Sequence, residues 1–200
     1  MKLYGSLTSP FVRRVRFIAT ELKLNFTLVD TLTEAGQAEM RTKNPLWKVP
    51  YLEFDDGMKL WDSHVIISYM FENFGTGSLR IPSGKEKWRE SNIIHAIDTA
   101  VESAINVFYL KNDGLKADDI PYLVKQSNRV TSILNWIQTE LNGIYFSKEE
   151  KLGLSELNLL TILDWLRFRH AYPVMDNPLW VEILNKHYGN ENLVATRPPS

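Results

Sequence analysis

The sequence predicts an α/β layer with a mixed four-stranded sheet, followed by an all-helical bundle. Three observations predict it. Short β-type and longer helical patterns alternate over the first 75 or so residues. Gly75-Thr76-Gly77-Ser78 and Pro82-Ser83-Gly84 then punctuate the chain. Beyond them only helical spacing remains.

Each element has its own signal. Residues 2–5 read as a strand. Residues 10–22 read as a helix, because Val12, Val15, Ile18, Ala19 and Leu22 share one face. Residues 26–29 form a second strand, and the crossover through that helix makes a βαβ unit and a parallel pair. Residues 34–42 give a polar helix. Residues 49–54 and 58–61 flank Asp55-Asp56-Gly57, a turn sequence, and read as a β-hairpin. Residues 62–74 close the layer as an amphipathic helix through Val65, Ile66, Tyr69 and Met70. The order is βαβαββα. Helical spacing then covers residues 86–110 (Ile93, Ile94, Ile97, Val101, Ala104, Ile105, Phe108), 122–141, 156–169 and 178–188. The expected organisation is an α/β domain at 1–77, a linker at 78–85 and a helical domain at 86–200.

Composition narrows the function. A hydrophobic fraction of 44% with six Trp, eight Tyr and nine Phe can bury a sizeable core. With 23 basic and 24 acidic residues there is no field to attract nucleic acid or an anionic membrane, so neither partner is expected. The basic run Arg13-Arg14-Val15-Arg16 falls on a helix and reads as a solvated or interface face. There is no cysteine, which excludes disulfides, Cys-based metal sites and protein thiol nucleophiles. Any sulfur chemistry must use a ligand's sulfur. His64, His95, His170 and His187 lack paired spacing, so no metal is expected. No signal-peptide pattern and no run of 18 or so apolar residues is read, and a cytoplasmic location is expected.

Three short segments carry candidate chemistry. Ser9-Pro10 has the sequence of a helix cap followed by the first helical position. The same geometry presents N–H groups and partial positive charge, which favour a nearby thiolate. A free thiol has a pKa of about 8.5, and lowering it by about two units takes roughly 2.7 kcal/mol. Ser9 would donate a hydrogen bond to the ionised sulfur, with Thr8 an alternative donor and Tyr4 a weaker one. Val49-Pro50 reads either as an ordinary turn or as a cis peptide exposing the Val49 backbone to an extended ligand. Asp62-Ser63 opens the next helix. It is either a plain cap or a site for a zwitterionic peptide end, with helix N–H groups and the Ser63 hydroxyl on the carboxylate and Asp62 on the ammonium. Lys48 is placed to reach a second carboxylate.

Together, Thr8-Ser9-Pro10-Phe11-Val12-Arg13-Arg14-Val15-Arg16, Asn44-Pro45-Leu46-Trp47-Lys48-Val49-Pro50-Tyr51-Leu52, Asp55-Asp56-Gly57 and Leu60-Trp61-Asp62-Ser63-His64-Val65-Ile66 strongly resemble cytosolic glutathione S-transferases, in particular bacterial serine-type members. The resemblance covers essentially the whole chain and implies a thioredoxin-like first domain. By position it implies that Ser9 activates the glutathione sulfur and that Val49, before a cis-Pro50, pairs with the cysteinyl backbone. It further implies that Asp62 and Ser63 hold the γ-glutamyl end, with Lys48 helping at a carboxylate. Glutathione would be co-substrate, the second domain would supply an apolar pocket for a small apolar electrophile, and the protein would be a homodimer. The implied activity is detoxifying transfer to an electrophilic carbon, or reduction of a peroxide by glutathione. Rivals are a non-catalytic interaction protein of this fold and a glutathione-dependent enzyme for one metabolite. Two departures stand out. Leu154-Ser155-Glu156-Leu157-Asn158 resembles the family's capping box, with Asn158 where an Asp is usual, and Trp47 stands where many relatives carry a smaller residue such as Gly.

Overall fold

Strand β1 (Lys2–Gly5) lies inside a four-stranded sheet of order β2-β1-β3-β4. It pairs parallel with β2 (Thr27–Asp30) and antiparallel with β3 (Tyr51–Glu53), which in turn pairs antiparallel with β4 (Lys59–Trp61). The sheet is therefore mixed and four-stranded, as the βαβαββα pattern predicts. Helices α1 (Pro10–Glu21), α2 (Glu34–Lys43) and α3 (Ser63–Phe74) complete this layer. The computed structural model describes residues 1–199. One compact unit comprises Met1–Ser78 and the stretch from His187 onward, and the other is Leu79–Lys186.

Alternation along the strands divides the first core. Tyr4 and Tyr51 are fully buried and join Met40 of α2. Their neighbours Leu3 and Leu52, also buried, point to the opposite face. Helices α1 and α3 pack together through faces that include Val12, Val15, Ile18, Ile66, Ile67 and Met70. Gly5 ends β1 hard against α1, where a Cβ would run into the isopropyl group of Val12. That contact lets the chain turn from β1 directly into the start of α1.

The basic run of α1 does not form a solvated or interface face. Arg13 and Arg14 are buried, and the reason lies at the other end of the chain. Helix α8 (Glu191–Ala195) packs on α1 within the same unit. Arg13 Nη2 donates to the Leu193 carbonyl at 3.1 Å and Arg16 Nη1 to the Thr196 carbonyl at 3.2 Å. Asn192 Nδ2 donates to Glu21 Oε1 at 2.6 Å. The Arg14 guanidinium lies 5.0 Å from the Phe11 ring centroid.

The second unit contains α4 (Gly84–Asn112), α5 (Pro121–Glu140) and α6 (Leu154–Phe168), with α7 (Pro178–His187) beyond them. Helix α4 packs on both α5 and α6 and buries Ile93, Ile97, Ala100, Val101 and Ala104. By length and composition alone α4 would suffice to cross a bilayer, contrary to the sequence expectation. In the fold 39% of that stretch is buried. Helix α6 is buried almost all round, the pattern of a central helix. Trp165 of α6 meets Phe108 of α4 edge to face at 5.8 Å.

The cap of α6 sits two residues earlier than the sequence suggests. Gly153 is the cap, and its carbonyl accepts from Leu157 N–H at 3.0 Å. Glu156, not Asn158, is the acid of the box. It accepts from Gly153 N–H and Phe146 N–H, both at 2.8 Å. Ser155 already lies inside the helix, and its hydroxyl donates to Glu90 Oε2 at 2.7 Å. Asn158 Nδ2 donates to the Leu154 carbonyl at 2.6 Å. Arg80 pairs with Glu90 at 2.6 Å and lies 3.6 Å from Glu156, all three buried. This ion network gives the Glu156 carboxylate a partner that a solvent-facing cap would lack.

Candidate functional site

Sheet register gathers the candidate residues at one end. Tyr51 lies opposite both Tyr4 and Trp61. Pro50 therefore falls beside Gly5 on one flank and Asp62 on the other. The loop into α1, the Val49-Pro50 step and the start of α3 share that edge.

At the start of α1, Ser9 is the cap, with φ −78° and ψ 127°, and Pro10 is the first helical residue. Its carbonyl accepts from Arg13 N–H at 3.0 Å and its Oγ accepts from Val12 N–H at 3.3 Å. The Ser9 hydroxyl thus spends one lone pair on the cap, which leaves its O–H as a donor. Thr8 is tied back to Ser6: the two hydroxyls lie 2.8 Å apart, and Thr8 N–H reaches Ser6 Oγ at 3.1 Å.

Tyr4 is occupied elsewhere, on the α2 side of the sheet. Its hydroxyl lies 2.7 Å from Glu39 and 2.9 Å from Glu53, and it accepts from Lys43 Nζ at 2.9 Å. Lys43 also reaches Glu53 at 2.7 Å and Glu39 at 3.0 Å. Burial raises the Tyr4 phenol above its ordinary value, opposed by Lys43. Lys43 is raised by its hydrogen bonds to Glu53 and Tyr4. The Tyr4 hydrogen bond lowers Glu39 and the Lys43 hydrogen bond lowers Glu53. The network binds α2 to β1 and β3, beneath Val49, which packs against Tyr4, Met40 and Tyr51.

The Val49–Pro50 peptide is cis. Ahead of it, a turn is organised by Asn44, a residue the sequence reading passes over. Asn44 is fully buried. Its Nδ2 donates to the Lys48 carbonyl at 2.7 Å, its Oδ1 accepts from Leu46 N–H at 2.9 Å, and its carbonyl accepts from Trp47 N–H at 3.2 Å. The Asn44-Pro45 dipeptide, a turn initiator, is the signal that could have found it. Lys48 itself is exposed.

Trp47 and Asp62 both hold positive φ, 51° and 76°. For a residue with a Cβ such a conformation costs roughly 1–2 kcal/mol. Asp62 caps α3, its Oδ1 accepting from His64 N–H at 2.8 Å and Val65 N–H at 3.4 Å. Oδ2 and the hydroxyl of the buried Ser63 take no hydrogen bond among the described residues. The start of α3 therefore offers a carboxylate oxygen, a hydroxyl and the positive end of a helix in adjacent positions. Among the described residues no group of three or more His, Cys, Asp or Glu side chains is arranged to hold a metal ion.

Residues 3–78 match the family model of the glutathione S-transferase N-terminal domain. The chain is 25% identical to an uncharacterized GST-like protein of Escherichia coli K12, YibF, over 203 residues, covering 100% of this chain and 99% of that protein. Among solved structures, a glutathione S-transferase of Methylobacterium radiotolerans in complex with glutathione sulfonate has a TM-score of 0.84 at 18% identity, covering 100% of this chain and 95% of that one. A glutathione transferase family member of Pseudomonas fluorescens Pf-5 with bound glutathione also has a TM-score of 0.84, at 23% identity, covering 100% and 99%. At these identities the structural likeness establishes the fold.

Proposed function

We propose that the chain is a glutathione transferase: residues 3–78 match the model of the glutathione S-transferase N-terminal domain, and solved glutathione transferase structures share its fold over the whole chain. Glutathione lies extended along the sheet edge. Val49 pairs with its cysteinyl backbone next to Pro50, and Asp62 and Ser63 take the ammonium and carboxylate of the γ-glutamyl end. Lys48 meets the glycyl carboxylate. The thiol proton leaves to solvent while the Ser9 hydroxyl donates to the sulfur and the N–H groups of α1 face the anion. The thiolate lone pair then forms the S–C bond to a small apolar electrophile as the leaving group departs. Binding holds the two reactants together, and the preset donors favour the charge on sulfur. The working form is a cytoplasmic homodimer.

The observation that carries this reading is the Ser9 hydroxyl. Its oxygen accepts from Val12 N–H, and its proton is left over at a helix start. Calorimetric titration with glutathione at millimolar levels tests the reading, followed by conjugation of a generic aromatic halide. Saturable binding with turnover supports it. Absence of binding would transfer the protein to the class of non-catalytic interaction proteins.

A further inference from the structure

Helix α7 presents two faces. Trp180, Ile183 and Leu184 are buried. Pro178, Val181, Glu182 and Asn185, spaced i, i+3, i+4 and i+7, instead line a groove of about 800 Å³ within the second unit. A groove of that volume can take a small organic molecule. The turn that follows α5 completes the lining. Asn142 N–H donates to the Tyr145 carbonyl at 2.7 Å and Tyr145 N–H to the Asn142 carbonyl at 3.3 Å, closing a two-residue turn around Gly143 and Ile144. Gly143 has φ 66°, as the first position of such a turn requires. Phe146, the next residue, is held through its N–H by Glu156 at 2.8 Å and through its carbonyl by Arg89 Nη1 at 3.0 Å. Asn177 fastens the start of α7, its Nδ2 donating to Gln138 Oε1 at 3.1 Å and its Oδ1 accepting from Leu179 N–H at 3.0 Å. Both parts of the lining are therefore set in place by the fold itself.

The groove joins an apolar bed to an acidic rim. Ile144, Pro178 and Val181 supply the bed, and the exposed Glu150 and Glu182 supply the rim. Neither carboxylate has a hydrogen-bond or ion-pair partner among the described residues. Among those residues the lining sets these two acids against one cation, Lys186, which pairs with neither. The Tyr145 phenol feels the resulting field: burial raises it, and Glu150 and Glu156 push it further the same way. Glu150 holds φ 48°, a conformation that costs a residue with a Cβ, and only its N–H bond to the Ser147 carbonyl at 3.3 Å supports it there.

We propose that this groove is a binding site for a small amphipathic amine, whose ammonium is held by Glu150 and Glu182 while its hydrocarbon body lies on Ile144, Pro178 and Val181. Charge decides the class of ligand. The acidic rim repels a carboxylate and gives a neutral hydroxyl no ionic partner, so it favours a cation. The apolar bed in turn favours a cation that carries hydrocarbon over a bare inorganic ion. None of these residues takes part in the glutathione site proposed above, so amine binding stands or falls independently of it.

The test titrates the full chain with 2-phenylethylamine, 2-phenylethanol and 3-phenylpropanoate, followed by backbone amide NMR. The three probes share a phenyl ring on a short chain and differ in charge. The amine should bind about tenfold more tightly than the alcohol, as two partly exposed charge contacts allow, with shifts centred on Gly143, Ile144 and Val181. The carboxylate should bind more weakly than the alcohol. Glu150→Gln and Glu182→Gln, both at exposed positions, should each weaken the amine about threefold and leave the alcohol unchanged. Val181→Trp, which fills the bed, should abolish binding of both. Absence of saturable amine binding at millimolar levels overturns the assignment. So does equal affinity for the three probes, a set of shifts outside the groove, or an amine affinity unchanged in both Gln variants.

Discussion

Lys43 Nζ lies 2.7 Å from Glu53 Oε2 and so fastens the last turn of α2 to β3. The same ammonium serves the Tyr4 hydroxyl and Glu39. Replacing Lys43 by Met would leave two carboxylates and a phenol facing one another without a cation. Both partners keep some solvent contact, so the expected loss is about 1–3 kcal/mol, less than for a fully buried pair. Urea unfolding of Lys43→Met beside Lys43→Arg measures it, and Arg should recover part of the loss.

The same network sets the pH limits of the first unit. Glu39 and Glu53 are lowered in the fold, so their stabilisation is complete above the ordinary glutamate pKa of about 4.3 and falls away as acid protonates them. Tyr4 and Lys43 are raised, so their contribution is complete below the ordinary values of about 10 and is lost as the pH climbs beyond them. Thermal unfolding across pH 3–11 should show a plateau flanked by two declining limbs. Glu53→Gln should flatten both the acid limb and the plateau height.

Ser9→Ala separates capping from chemistry. Loss of the 3.3 Å bond from Val12 N–H should cost about 0.5–1 kcal/mol of stability, the low end for a cap. Loss of the donor to sulfur should lower kcat about 10–100-fold at pH 7, with little change in glutathione affinity. The rate deficit should shrink at pH 9, where the thiol ionises unaided. A pH–rate profile of both proteins decides it.

The shifted cap of α6 makes two conservative changes destabilising. Glu156→Gln keeps the shape but removes the charge that faces Arg80 and two backbone N–H groups, and should cost about 2–4 kcal/mol. Asn158→Asp, which a capping reading of Ser155 would count as an improvement, should instead destabilise by about 1–3 kcal/mol. It sets a carboxylate against the Leu154 carbonyl in a fully buried position. Denaturant unfolding of the two variants checks both.

What the sequence made legible was local. Periodicity finds α1, α3 and α5 to within a residue or two, because each repeats an apolar stripe over three or more turns. Ser9 and Asp62 are readable as caps, since capping is a short-range bond. Strand β3 is shorter than its apolar run, although Phe54 N–H still bonds the Met58 carbonyl at 2.9 Å in register with the β3–β4 ladder. The rest depended on distant partners. Burial of Arg13 and Arg14 is invisible while α8, five residues long, is too brief to show a period. The Tyr4–Lys43–Glu53 network is made by groups that meet only once the sheet has formed. Glu156 was overshadowed because Ser155 offered a familiar pattern one position away.

Arg13 reaching Leu193 across 180 positions of sequence has a consequence for biosynthesis. A ribosome delivers the sheet and its first three helices long before it delivers the stretch that covers α1. During that interval the guanidinium of Arg13, buried in the finished fold, and that of the half-buried Arg16 lack the carbonyls that receive them. The unit that holds the sheet is thus completed only after the intervening helical unit, Leu79–Lys186, has been synthesised.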